Sequence, residues 1–248
     1  MDGFLLIDKP SGFTSHDVVA KVRGILRKAA SQQSAVNSQK LSTGDSRLST
    51  PSPKVKVGHT GTLDPFATGL LILVLGSYTK RAGEFSKLDK IYEAELTLGA
   101  TSTTGDIEGR ITTKNVHMDK KRGGVREVEQ VLQKFVGQIG QRPHRYSAVK
   151  INGQRAYKLA RQGKEVKLEP RQVTIYELRV TSFDYPKLCL TAKVSSGTYV
   201  RSLAEDIGEA LGTGAYLSAL RRTQIGDFKV ENAQSINEVS LAKIAKVW

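Results

Sequence analysis

The chain has 248 residues, 39% of them hydrophobic, so it is long enough to bury a substantial core. No run approaches the roughly 18 apolar residues of a membrane span, and no secretory signal is visible at the N-terminus. The single cysteine, Cys189, excludes an intramolecular disulfide. Together these features predict a cytoplasmic protein. Lys and Arg outnumber Asp and Glu by 38 to 24, and the net charge of +14 favours a polyanionic partner, most simply nucleic acid, over a merely soluble basic surface.

The N-terminal third begins with a short apolar run at residues 3–8 that predicts a buried strand, followed by a turn containing Pro10 and Gly12. Thr14 is expected to cap a helix that extends to about Lys28 with one apolar face. Residues 30–55 are rich in Ser, Gln, Asn and Thr, contain no aromatic residue and show no periodicity, so they predict a flexible insertion. Its basic residues are compatible with a weak contact to RNA, but a tolerated loop insertion without function is the simpler interpretation.

The most informative stretch is GHTGTLDPFATGLL at residues 58–71, in which one carboxylate, Asp64, lies between glycines and directly before Pro65. Glycine permits close approach of the backbone, and proline restricts both itself and the residue before it. These residues predict a stiff loop that leads into a buried strand at residues 70–75 and presents Asp64 as a candidate acid, base or nucleophile. The alternative is that Asp64 only forms a turn.

The rest of the chain alternates strand and helix patterns. Apolar residues recur at every second position from Tyr92 to Leu98, which predicts a strand with Tyr92 on its buried face. The other predicted elements are a short helix from Ser77, a polar loop at 100–110 with Asp106, a helix at 125–136, a turn at 152–153 followed by a basic helix, paired strands at 171–184 and 187–195, a helix from Val200 and a strand around Leu220.

The stretch at residues 58–71 resembles the signature loop of the TruB-type pseudouridine synthases, which isomerise a uridine in the T-loop of tRNA. Further similar segments follow in the family's order over nearly the whole chain: DKPSG at 8–12, QRPHRYSAVK at 141–150, GTYVR at 197–201 and GAYLSALRR at 214–222. Three departures from the family's pattern are visible: the insertion at residues 30–55, His144 in place of a proline, and Ile91 rather than arginine after Lys90. The family usually continues into a small C-terminal RNA-binding domain, which this chain is expected to lack.

The resemblance implies roles for seven residues. Asp64 corresponds to the catalytic aspartate, and Arg201 is expected to pair with it and keep it ionised. Tyr92 is expected to stack on the target base. The residues expected to contact the substrate are Lys9, His59, Tyr92, Tyr199 and Leu220. Asp64 attacks the sugar or the base, or removes a ribose proton, and the sequence leaves these routes open.

The family's fold implies an α+β protein, with a mixed but mostly antiparallel central sheet flanked by helices and loops. We expect one catalytic domain over residues 1–248, no cofactor and no metal, and a monomer that needs no protein partner. The expected partner is the T-arm stem-loop of tRNA, with the uridine at tRNA position 55 as the target. Two alternatives keep the fold: a non-catalytic tRNA-binding protein or RNA chaperone, and a guide-RNA-dependent enzyme within a multi-protein particle.

Overall fold

The computed structural model describes residues 1–39, 55–114, 124–144, 146–147, 149–151, 153–164, 166 and 168–245. The chain divides into two compact units, residues 1–86 with 227–248 and residues 87–226. The expected single catalytic domain stays a prediction. Among the described residues, no helix combines the length and the apolar character needed to cross a membrane.

The described chain forms five α-helices and fourteen strands. The helices are α1 (Ser15–Gln39), α2 (Ala82–Ser86), α3 (Gly124–Gln133), α4 (Ala156–Arg161) and α5 (Val200–Ala210). The strands are β1 (Gly3–Lys9), β2 (Val57–His59), β3 (Thr68–Leu75), β4 (Lys90–Leu98), β5 (Ala100–Ser102), β6 (Ile111–Thr113), β7 (Gly137–Gln141), β8 (Lys150–Ile151), β9 (Gln154–Arg155), β10 (Arg171–Asp184), β11 (Lys187–Val194), β12 (Ala215–Ile225), β13 (Phe228–Lys229) and β14 (Gln234–Ser235). Single 3₁₀ turns cover Gly76–Arg81, Val230–Asn232 and Leu241–Lys243.

In the first unit, β3 pairs antiparallel with both β1 and β2, and β14 pairs parallel with β1. The predicted apolar run of β3 is fully buried from Leu70 to Leu75. Side chains of β1 and β3 pack against α1 in one core that includes Leu5, Ile7, Leu71 and Leu73. Each such side chain contributes about 1.5–3 kcal/mol through the apolar surface that it removes from water.

Helix α1 begins directly after Thr14, as predicted, and buries Val18, Val22 and Leu26 at the spacing of one helical face. It does not end near Lys28, because it continues to Gln39. Residues 30–39 of the predicted insertion are therefore helical, and residues 40–54 lie outside the described residues. The polar composition concealed this extension: Ala29 and Ala30 lead into it, and residues 31–39 contain no glycine or proline that would stop a helix.

The main sheet of the second unit contains five strands in the order β12–β4–β11–β10–β7, and neighbouring strands in it run antiparallel. Two short antiparallel pairs, β5 with β6 and β8 with β9, complete the described strands of this unit. The predicted alternation along β4 is confirmed, with Tyr92, Ala94, Leu96 and Leu98 buried. Helix α5 packs against β12, and α3 packs against β10. The α+β class with a mostly antiparallel sheet is thereby confirmed, because β1 pairs parallel with β14 whereas β1 with β3, β2 with β3 and the pairs of the second unit's main sheet are antiparallel.

Candidate active site

Asp64 lies on the loop that joins β2 to β3. The pairing of His59 with Leu73 leaves residues 60–67 as the connection, and the amide and hydroxyl of Thr60 both donate to the carbonyl of Ile72. A turn is closed by the amide of Ala67, which donates to the carbonyl of Asp64 at 3.2 Å. Asp64 is half-buried, whereas its neighbours Leu63 and Phe66 are buried. Backbone hydrogen bonds therefore hold the loop at both ends, and Asp64 stays partly exposed beside buried neighbours in the sequence.

The segment after β1 braces this loop through the carbonyl oxygens that follow Asp64. The ammonium of Lys9 donates to the carbonyls of Pro10, Phe13 and Pro65 at 2.9, 2.7 and 3.2 Å. The hydroxyl of Ser11 donates to the carbonyl of Phe66 at 3.1 Å. The Lys9 side chain is fully buried. Its contacts make it a positioning residue for the loop, and a contact with substrate stays a prediction.

His59 is the last residue of β2 and lies directly before the same loop. It is half-buried at the end of β2, and its imidazole lies edge-on to that of His16 in α1. The two ring centres are 5.1 Å apart with planes inclined at 77°. The first unit thus brings together three residues that the sequence predicted for the site, namely Lys9, His59 and Asp64.

Tyr92 and Leu220 lie on one face of the second unit's sheet. Strand register places Arg222 opposite Tyr92 and Leu220 opposite Ala94, so Tyr92 and Leu220 occupy diagonal positions about 7–8 Å apart. Both side chains retain 8% exposure. Beside them Arg222 is almost completely buried, a feature that the sequence analysis did not identify.

Charge is also buried at the start of β4. Burial, and secondly the guanidinium of Arg222, lower the pKa of Lys90 from 10.5 to about 8. The ammonium donates to the carbonyl of Leu88. The environment of Lys90 therefore disfavours its positive charge.

Arg201 and Tyr199 lie at the N-terminus of α5. The guanidinium of Arg201 forms an ion pair of 3.1 Å with Asp106 and donates to the carbonyl of Thr104 at 3.1 Å. Asp106 is itself buried and accepts further hydrogen bonds from the hydroxyl of Thr104 and the amide of Glu108. The main chain of Tyr199 is held by the side-chain amide of Gln141 through bonds of 2.7 and 2.9 Å.

Asp106 and Gln141 are the residues of this region to which the sequence analysis assigned no role. Asp106 was recognised only as part of a polar loop, and Gln141 only as the first residue of a family-like segment. A usable signal for Asp106 was its place in the Thr-Thr-Gly-Asp turn, since a carboxylate there accepts local hydrogen bonds. The expected pair of Asp64 with Arg201 joins residues of different units and stays a prediction.

Two family models match the chain. One is described as the TruB family pseudouridylate synthase N-terminal domain and matches residues 49–200, and the other is the tRNA pseudouridylate synthase B C-terminal domain and matches residues 201–248. The chain is 43% identical to tRNA pseudouridine synthase B of Dechloromonas aromatica, covering 96% of this chain and 70% of that protein. It is 41% identical to tRNA pseudouridine synthase B of Geobacter sulfurreducens, covering 96% and 69%.

Solved structures agree with these sequence relationships. A Cbf5–Nop10–Gar1 complex contains a chain that superposes with a TM-score of 0.64 at 29% identity, over 95% of this chain and 53% of that chain. An H/ACA ribonucleoprotein bound to a substrate RNA contains another, with a TM-score of 0.61 at 26% identity. The expected pseudouridine synthase fold is confirmed. From its matches in sequence and in structure, the chain belongs to the TruB family of pseudouridylate synthases.

Proposed function

We propose that this protein isomerises uridine to pseudouridine in tRNA, at position 55 of the T-loop. The observation that carries this function is the half-buried Asp64 on its braced loop, in a chain whose curated relatives are tRNA pseudouridine synthases. The reaction breaks an N-glycosidic bond and forms a carbon–carbon bond to the same ribose. It needs a positioned carboxylate and no net oxidation, and a carboxylate acts either as nucleophile or as general base.

The target uridine leaves its stack to reach Asp64, which costs about a few kcal/mol. Stacking on Tyr92 contributes about 1–3 kcal/mol toward that cost. Leu220, diagonal to Tyr92 on the same face of the sheet, forms part of the apolar wall of the uridine pocket. Tyr199 closes the pocket, and His59 contacts the RNA around the flipped base.

Arg201 is proposed to pair with Asp64 as well as with Asp106. A guanidinium carries several N–H donors in a planar fork and so can serve two carboxylates. A cation beside Asp64 favours the ionised form that either chemical route requires. Asp106 then acts as a positioning residue, because it holds the guanidinium at the start of α5.

The proposed function is tested by incubating the purified protein with an unmodified tRNA transcript and mapping pseudouridine. We expect one modified position in the T-loop. An Asp64→Asn variant should bind the same transcript but leave it unmodified, because an amide of nearly the same shape is neither a base nor a nucleophile at this step. Equal modification by the parental protein and by this variant contradicts the assignment of Asp64.

We also propose that the protein is cytoplasmic and acts as a monomer without a protein partner or guide RNA. The chain is also similar to a chain solved within a Cbf5–Nop10–Gar1 complex, and this similarity is the reason to test the guide-dependent alternative. Modification of tRNA by the purified chain alone, together with a monomeric mass in solution, supports the stand-alone enzyme. A requirement for an added RNA or protein favours the alternative.

A further inference from the structure

The first turn of α1 is held in a defined conformation by its own side chains. The amide of Thr14 donates to the carboxylate of Asp17 at 2.9 Å, and the amide of Asp17 donates to the hydroxyl of Thr14 at 3.1 Å. This reciprocal arrangement satisfies amides that the start of a helix otherwise leaves without partners. The backbone around Ser15 and His16 is therefore rigid.

The same turn is fastened to the loop that carries Asp64. The hydroxyl of Ser15 accepts from the amide of Leu63 at 2.9 Å and donates to its carbonyl at 3.1 Å. Ser15 is only 1% exposed, so water does not compete with these bonds. One side chain thus ties the start of α1 to the residue immediately before Asp64.

His16 follows Ser15 and has its side chain exposed. Its imidazole contacts that of His59 edge-to-face, the geometry that aromatic rings prefer. His59 is fixed at its backbone by pairing with Leu73, so the remaining freedom of His59 lies in its side chain. A ring packed edge-on restricts that freedom.

We propose that His16 is a positioning residue for substrate RNA: it holds the His59 ring in the orientation that contacts the RNA. This proposal rests on the proposed function, because it assigns a second residue to the same recognition event. His16 acts on binding and leaves the chemistry at Asp64 unaffected. Its loss therefore raises KM with little change in kcat.

The test is a double-mutant cycle with His16→Ala, His59→Ala and the double variant, each assayed on a T-arm stem-loop. Loss of the ring contact should raise KM about three- to tenfold in His16→Ala. The double variant should resemble His59→Ala alone, because His16 has no target once the second ring is removed. His16→Phe, which retains an aromatic edge, should restore most of the affinity.

Gln32→Ala provides a matched control, because Gln32 is an exposed, uncharged residue further along α1. It should keep the parental KM, and the thermal melting temperature of His16→Ala should equal that of the parental protein. Effects of His16→Ala and His59→Ala that simply multiply overturn the proposal, as does failure of His16→Phe to restore binding. An inactive parental protein instead refutes the proposed function, on which this inference depends.

Discussion

At the scale of single residues, Asp106 and Arg201 carry opposite charges in a nearly water-free environment, with side-chain exposures of 1% and 8%. Removing the Asp106 carboxylate leaves the buried guanidinium of Arg201 without this ion pair, so we expect Asp106→Leu to lower the free energy of unfolding by about 3–5 kcal/mol. Replacing both residues, as in Asp106→Leu with Arg201→Met, should recover much of that loss. Denaturant unfolding measures both effects.

The same pair of variants separates stability from catalysis. Because Arg201 is proposed to keep Asp64 ionised, the stable double variant should still lose pseudouridine formation. A double variant that is both stable and active contradicts any catalytic contribution from Arg201 and leaves the buried pair a purely structural feature.

Lys90 gives a pH-dependent prediction. Its pKa is about 8 in the folded protein and about 10.5 in the unfolded chain, so the unfolded chain binds more protons between these values. The destabilising contribution of Lys90 is therefore complete below pH 8 and disappears as the pH rises to 10.5. Lys90→Met should be more stable than the parental protein at pH 7, and this advantage should shrink between pH 8 and 10.5.

The measurement is the difference in unfolding free energy between Lys90→Met and the parental protein across that pH range. The comparison cancels the titration of other groups that the two proteins share. A constant difference from pH 7 to 10.5 would mean that Lys90 has an ordinary pKa and that its burial carries no electrostatic consequence. Lys87→Met is a suitable control, because Lys87 is exposed.

At the scale of elements, α1 has two parts with different roles. Its first turns bury Val18, Val22 and Leu26 in the core, whereas Gln32 is exposed. We expect Leu26→Ala to lower the free energy of unfolding by about 2–5 kcal/mol through the cavity that it leaves.

Replacing residues 40–54 with a shorter Gly–Ser linker should leave the melting temperature and kcat/KM nearly unchanged, because this Ser- and Thr-rich segment offers little apolar surface to bury.

Thermal melting and tRNA assays on the Leu26→Ala variant and on the linker variant test these two predictions. A large fall in melting temperature for the linker variant would show that residues 40–54 pack against the protein. An unchanged melting temperature for Leu26→Ala would contradict the assignment of α1 to the core.

At the scale of the whole molecule, the net charge of +14 favours contacts with many phosphates. Each neutralised phosphate steepens the decline of affinity with salt, by roughly 0.7–0.9 in the slope of log K against log salt concentration. We expect strongly salt-dependent tRNA binding, and a T-arm stem-loop that retains most of the kcat/KM of full tRNA. The residues proposed to read the substrate all surround one flipped base, and RNA is usually read in such single-stranded loops.

The comparison is kcat/KM for full tRNA and for the stem-loop at low and moderate salt. A stem-loop that does not react, beside a full tRNA that does, would place essential recognition outside the T-arm. Affinity that is independent of salt would instead contradict a phosphate-dominated interface.

Patterns over a few residues of the sequence were sufficient to predict the local features of this protein. Alternating apolar residues predicted β4 with Tyr92 buried, a continuous apolar run predicted β3, and Gly and Pro predicted the loop of Asp64. These features depend on conformational preferences that act over a few residues, so a short segment of sequence is enough to predict them. The end of α1 was misplaced because a polar composition was interpreted as a flexible segment, although residues 30–39 contain no glycine or proline that would stop a helix.

Which polar groups contact one another depends on the packing of elements that are distant in the sequence. Ser15 binds Leu63 across 48 positions of sequence, and Gln141 binds Tyr199 across 58. Burial then strengthens these contacts: the Lys9 ammonium donates to the carbonyl of Pro65 in the loop, and Asp106 forms an ion pair with Arg201. Such pairings follow from packing of distant elements, which excludes water and makes each hydrogen bond or charge depend on its partner.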